Sequence, residues 1–245
     1  MSYRPVTAVA ALTLGLAAPA PAQDNYEIQV YPAGLVAPAV TMLELHSNYT
    51  VNGLPESQGA FHETVEITHG FSEWLEVGFY TFTSAGATGD GWEYVGNHLR
   101  PRVSIPERWN WPVGLSLSNE IGYQRSKFSE DTWTWEVRPI VDQRLGRWYW
   151  SLNPVLDFAL EGANAGTGAT FAPNAELALD VTPKVNFALE YYGSFGPTMV
   201  GQLFPAVNLD FGPEWEFNAG VGFGLTPATD PLLVKVILGR RFGRP

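Results

Sequence analysis

Cysteine is absent from all 245 residues, so the fold has no disulfide and no thiolate metal site, which fits an exported chain that does without cross-links. Positive charge is scarce: 14 Lys and Arg stand against 25 Asp and Glu, a formal net of −11. Such a chain lacks the basic patch that phosphate backbones require, which excludes nucleic acid as a partner. Long apolar runs are missing too. Beyond residue 22 none approaches the roughly 18–20 residues of a membrane-crossing helix. A hydropathy scan would place the chain in water. Strands give a different result, because half of each barrel strand faces the lumen and is polar.

What the sequence has is a two-residue rhythm from about Thr41 to Phe242. From Trp148 to Glu161 one parity reads Trp, Trp, Leu, Pro, Leu, Phe, Leu and the other Tyr, Ser, Asn, Val, Asp, Ala, Glu. Successive strand side chains point to opposite faces, so this stretch has one apolar and one mostly wet side. Twelve such strands are predicted: 41–50, 60–68, 75–83, 92–105, 113–124, 132–145, 148–160, 170–181, 185–192, 202–211, 215–225 and 232–242. An even number of antiparallel strands with the apolar face outward defines an up-and-down transmembrane β-barrel over residues 41–245.

The links divide into two kinds. Gly146-Arg147, Thr182-Pro183-Lys184 and Gly212-Pro213-Glu214 are tight turns, whereas 161–169 and 193–201 are longer and rich in small residues. Aromatics gather at both strand ends. Trp74, Trp109, Trp111, Trp148, Phe211, Trp215 and Phe242 fall at the short-turn end; Tyr49, Trp92, Tyr123, Trp133, Phe171 and Phe223 fall near the long loops. Two belts suit the two lipid–water boundaries of a membrane. A soluble β-sandwich would concentrate its aromatics mid-strand instead. Pro101, Pro139, Pro154, Pro173 and Pro205 interrupt the predicted strands and are expected at bulges or strand ends.

Ahead of the barrel, Arg4, the apolar run 6–18 and Ala20-Pro21-Ala22 read as a secretory signal with cleavage after residue 22. Residues 23–40 form a periplasmic lead-in; within it Tyr26–Tyr31 alternates and could instead be an extra edge strand or a plug.

Parity also sorts the charges. The inward set includes Glu44, His46, Glu66, Glu76, His98, Arg100, Arg102, Glu120, Glu136, Arg138, Asp157, Glu176, Asp180, Glu190, Glu216 and Lys235. A charge facing lipid near the midplane costs a few kcal/mol, so this sorting is what a bilayer demands. Glu66, Arg100, Arg102, Glu120, Glu136 and Arg138 lie on neighbouring strands and form either a selective constriction or a salt-bridge network filling the lumen. From Asp157 onward acids predominate, so an open pore prefers cations. Glu44 with His46 reads as ordinary lumen lining, and no cofactor or metal is implied. Ser116, Ser118 and Glu120 share an inward face, but no motif ties them to a histidine, so hydrolysis has little support and no enzyme activity is expected.

Thr68-His69-Gly70-Phe71-Ser72-Glu73-Trp74-Leu75-Glu76-Val77-Gly78-Phe79 resembles a recurrent hairpin of outer-membrane porins, in which a Gly-hydrophobic-Ser/Thr-acidic turn leads into Leu-Glu-Leu-Gly. On these residues the chain is similar to the porin family named after the meta-pathway of phenol degradation. The resemblance implies a channel or transporter barrel in a Gram-negative outer membrane, with outer-membrane lipid and small polar solutes as partners. Barrels of that membrane commonly end on an aromatic residue; here Phe242 is followed by Gly243-Arg244-Pro245.

Overall fold

The computed structural model describes residues 25–86, 91–196 and 198–243; the signal expected at 1–22 lies outside them. Twelve strands run Thr41–Asn52 (β1), Phe61–Ser72 (β2), Leu75–Ala85 (β3), Glu93–Ser104 (β4), Gly114–Gln124 (β5), Asp131–Leu145 (β6), Trp148–Gly162 (β7), Ala169–Thr182 (β8), Val185–Phe195 (β9), Met199–Leu209 (β10), Trp215–Gly224 (β11) and Leu232–Phe242 (β12). Each pairs antiparallel with its chain neighbours, and β1 closes on β12 from Thr41↔Phe242 onward. Closure leaves no unpaired edge, which is the condition for a sheet to sit in hydrocarbon.

The alternation decides which face turns out. On β2 and β3 the odd-numbered Val65, Ile67 and Phe79 are exposed, while their even-numbered neighbours Thr64, Glu66 and Tyr80 are fully buried. Leu99, Leu117, Leu156, Leu177, Leu189 and Leu238 continue the apolar exterior around the barrel. Trp74, Trp109, Trp111, Trp148, Phe211, Trp215 and Phe242 are exposed at one rim and Trp92, Trp133, Phe171 and Phe223 at the other. Charges of outward parity, such as Glu63 and Arg240, sit close to strand ends. A continuous apolar band between aromatic girdles defines the exterior of a membrane barrel.

The prolines are placed differently from the sequence expectation. None of the register shifts falls on them; Pro101, Pro139, Pro154, Pro173 and Pro205 each pair mid-strand on one side, as in Pro154↔Pro173 and Leu117↔Pro139. On the other side the ladder lapses. The β6–β7 register passes from Val137↔Leu156 to Val141↔Leu152, and the β10–β11 register from Leu203↔Phe223 to Ala206↔Gly220. A missing N–H is tolerated where the adjacent ladder is already open.

Residues 25–40 were open to three placements, a lead-in, an edge strand or a plug; they lie inside the barrel. The segment has no strand pairing, yet Tyr26, Ile28, Val30, Tyr31 and Ala33 are all buried. It descends from the long-loop end, where Asn25 meets Asn48 and Asp230, to the short-turn end. There Ala39, in the left-handed region at φ 63, reverses the chain into β1. An apolar alternation of this length cannot remain in water when a lumen lined by complementary groups lies next to it.

Candidate functional site

The segment binds the wall through both its backbone and its side chains. Thr64 Oγ1 donates to the Tyr26 carbonyl (2.6 Å), Lys235 Nζ to that of Ile28 (3.0 Å) and Ser151 Oγ to that of Tyr31 (2.7 Å). Asn153 accepts from the Tyr31 amide (2.8 Å), Asp142 from Ala33 (2.8 Å) and Glu76 from Val36 (2.7 Å). Arg102 donates to the carbonyls of Pro32 (3.0 Å) and Gly34 (2.9 Å). A chain without its own ladder must satisfy its polar groups elsewhere, and here the inner faces of β2, β3, β4, β6, β7 and β12 do so. Ile28 and Val30 pack against Tyr192, Phe204 and Leu233, and Tyr26 against Tyr80, Phe82 and Val95. Each such side chain contributes about 1.5–3 kcal/mol by burial.

Gly70 makes the exit from the lumen possible. A β-carbon there would stand 2.3 Å from the carbonyl oxygens of Val36 and Ala37, and the Gly70 carbonyl accepts the Ala39 amide at 2.8 Å. The glycine of the porin-like hairpin is therefore where the segment crosses β2.

Tyr31 lies at the centre of the charged belt. Its ring faces the guanidinium groups of Arg100 (4.4 Å), Arg138 (4.8 Å) and Arg102 (5.4 Å). Its hydroxyl bonds Glu27 and lies 3.0 Å from that of Tyr80. Around this ring the six residues singled out from sequence separate into pairs. Arg100 donates to Glu66 (2.6 Å) and reaches Glu76 (3.7 Å); Arg102 pairs with Glu76 (2.7 Å); Arg138 holds Glu136 through two nitrogens (2.6 and 2.8 Å). Glu120 pairs with His98 rather than with an arginine. Sequence reasoning placed Glu76 inward without joining it to the cluster. It did not reach Tyr31, whose role depends on the path of the segment and has no local signal.

The belt is closed to water. Inward residues on strand after strand at this level are buried: His46, Glu66, Tyr80, Arg100, Ser118, Arg138, Asn153, Asn174, Glu190, Phe204 and Lys235. The lumen is thus plugged by the chain's own N-terminal segment. Ser116 and Ser118 are buried in this wall and His98 is held by Glu120, so no nucleophile there is presented to lipid.

Below the plug the lumen opens. Asp142, Glu176, Asp180 and Glu216 are partly exposed toward the short-turn end, accompanied by Arg144, paired with Asp180, and Arg241, paired with Glu216. An asparagine ladder lines the same wall: Asn218 donates to Asn208 (2.7 Å), Asn208 to Asn186 (3.2 Å) and Asn186 to Asp180 (2.9 Å). Two inward rungs higher, beyond the buried Ala178–Ala188–Ala206 row, Glu176 stands at the lower edge of the belt opposite Glu190, which binds Lys235. This vestibule is partly exposed, polar and acidic.

No protein-family model and no curated protein matches the chain in sequence. Solved structures match it in fold. The COG4313 outer membrane channel from Pseudomonas putida F1 superposes with a TM-score of 0.65 at 12% identity, covering 88% of this chain and 100% of the other. The NanC porin gives 0.57 at 7% identity, covering 82% and 100%. The KdgM porin in complex with disordered oligogalacturonate gives 0.53 at 9% identity, covering 83% and 99%. The chain has the fold of twelve-stranded outer-membrane channel barrels.

Proposed function

We propose that this protein is an outer-membrane channel for small polar solutes, with a weak preference for cations and a lumen that its N-terminal segment keeps closed. The observation that carries the reading is the contrast between the two parts of the lumen. A vestibule lined by Glu176, Asp180, Glu216 and the Asn186–Asn208–Asn218 ladder leads to a plug that is joined to β1 at one end and otherwise held by hydrogen bonds and side-chain packing. A wall meant only to be filled has no use for partly exposed carboxylates. The Glu66, Arg100, Arg102, Glu120, Glu136 and Arg138 belt is then the narrowest level once the segment moves aside. The bound oligogalacturonate of the KdgM porin supports a polar solute in a barrel of this shape.

The burial of five of the six belt residues, all but Glu136, favours one alternative, a permanently closed structural barrel. Reversal potentials in a potassium chloride gradient, measured on protein lacking residues 25–36, separate the two. Cation-selective current is expected, weakened by the double substitution Glu176→Gln and Asp180→Asn, because carboxylates at a hydrated constriction concentrate cations. Chloride permeability equal to or above that of potassium would refute the cation preference. No current at all from the truncated barrel would leave the closed structural reading standing.

A further inference from the structure

His46 on β1 is fully buried, and neither ring nitrogen has a hydrogen-bond partner. An imidazole in that position is costly, because a buried polar atom without a partner forfeits its hydration. Across the β1–β2 ladder, Glu44 stands directly opposite Glu66. Both carboxyl groups are buried on the same inward face. Glu66 uses one oxygen for Arg100 (2.6 Å) and Thr68 (2.6 Å), while its other oxygen, Oε2, is also without a partner. That free oxygen lies 3.5 Å from His46 Nε2.

We propose that Glu44, His46 and Glu66 form a buried site for one divalent first-row transition cation. One ligand atom from each lies within 4.8 Å of the other two. With bonds of about 2.0–2.2 Å, two donors of a tetrahedral cation stand roughly 3.3–3.5 Å apart, so His46 Nε2 and Glu66 Oε2 already hold that separation. One imidazole and two carboxylates make a donor set that suits Zn2+ and its neighbours better than Ca2+ or Mg2+, which prefer oxygen alone. Charge points the same way. Around the site the buried carboxyl groups of Glu44, Glu66 and Glu76 face two guanidinium groups, those of Arg100 and Arg102. A bound dication supplies the missing positive charge without a long side chain. Arg100 and Thr68 are then the positioning groups, fixing one Glu66 oxygen so that the other is presented to the ion.

The site would tie β1 to β2 beside the buried segment, and it does not rest on the channel reading. The test uses the full-length barrel refolded with excess Zn2+ and then dialysed against metal-free buffer. Elemental analysis is expected to find about one Zn2+ per chain. Glu44→Gln, which keeps shape and removes charge, and His46→Ala are each expected to lose it. Co2+ exchanged into the unaltered protein should give a visible ligand-field band that both variants lack. Should either variant fail to fold, the other variant and the Co2+ band decide. Zinc retained equally by the unaltered protein and a folded variant would mean an adventitious ion only, and no zinc in the unaltered protein would overturn the site outright.

Discussion

Deletion of residues 25–36 is expected to raise single-channel conductance several-fold over the full-length protein and to lower the stability of the barrel. Both effects come from the same contacts. Tyr26, Ile28, Val30 and Tyr31 fill the lumen at the level where the wall carries Tyr80, Phe82, Tyr192 and Phe204. Removing them takes about 1.5–3 kcal/mol of burial per side chain from the folded state and leaves a water-filled space. Residues 37–40, with the Ala39 turn against Gly70, are kept so that β1 still starts in register. A synthetic peptide covering the deleted residues should restore closure from solution if the segment is a docked ligand of its own barrel. Planar-bilayer recordings before and after its addition measure this. Equal conductance in the truncated and full-length proteins would show that something other than the segment limits passage.

Arg100→Met should be the most destabilising single change in the belt. Arg100 is buried, pairs with both Glu66 and Glu76, and lies 4.4 Å from the centre of the Tyr31 ring. Losing one member of a buried ionic cluster typically costs about 3–5 kcal/mol, because the remaining charges keep their desolvation penalty without a partner. The loss of the ring contact adds about 0.5–2 kcal/mol. Arg108→Met is the control. Its pair with Glu73 is mostly exposed, at 64% and 53% for the two side chains, and such pairs are worth about 0–1 kcal/mol. Urea titration of heat-modifiable mobility in lipid vesicles resolves the difference. A second substitution, Glu66→Gln, should recover part of the stability in the Arg100→Met background and none in the Arg108→Met background.

Much of this architecture was legible in the residues because barrels are written in a local code. Outward and inward faces follow from period two, and turns such as Gly146-Arg147 and Thr182-Pro183-Lys184 announce themselves, so the strand ends agree to within a few residues along most of the chain. Two stretches were less clear. The 193–201 link proved short, because β9 continues to Phe195 and β10 starts at Met199, in a region where Gly193 and Gly201 obscure the alternation. The 69–74 link also shrank, since β2 runs through a bulge at Gly70 to Ser72. The plug was one of three placements open for residues 26–31. Its local pattern is that of a strand, and only tertiary contacts with strands all around the wall, from Thr64 to Asn153 and Lys235, distinguish a lumen segment from an edge. The belt followed a similar course. Parity placed its six members on one face, but Tyr31 and the His98–Glu120 pair depend on tertiary geometry.

The absence of cysteine makes the decisive measurement clean, since a nitroxide can be placed at one engineered site at a time. Labels along β9 should alternate. At Phe187, Leu189 and Tyr191 they should be open to oxygen dissolved in the bilayer, and at Ala188, Glu190 and Tyr192 shielded from it. Such a pattern places the apolar side of the wall in hydrocarbon, with the plug and the acidic vestibule inside. If the odd-numbered positions are instead screened from membrane-dissolved oxygen, or the accessibility lacks a two-residue period, the barrel does not lie in lipid and the channel account fails with it.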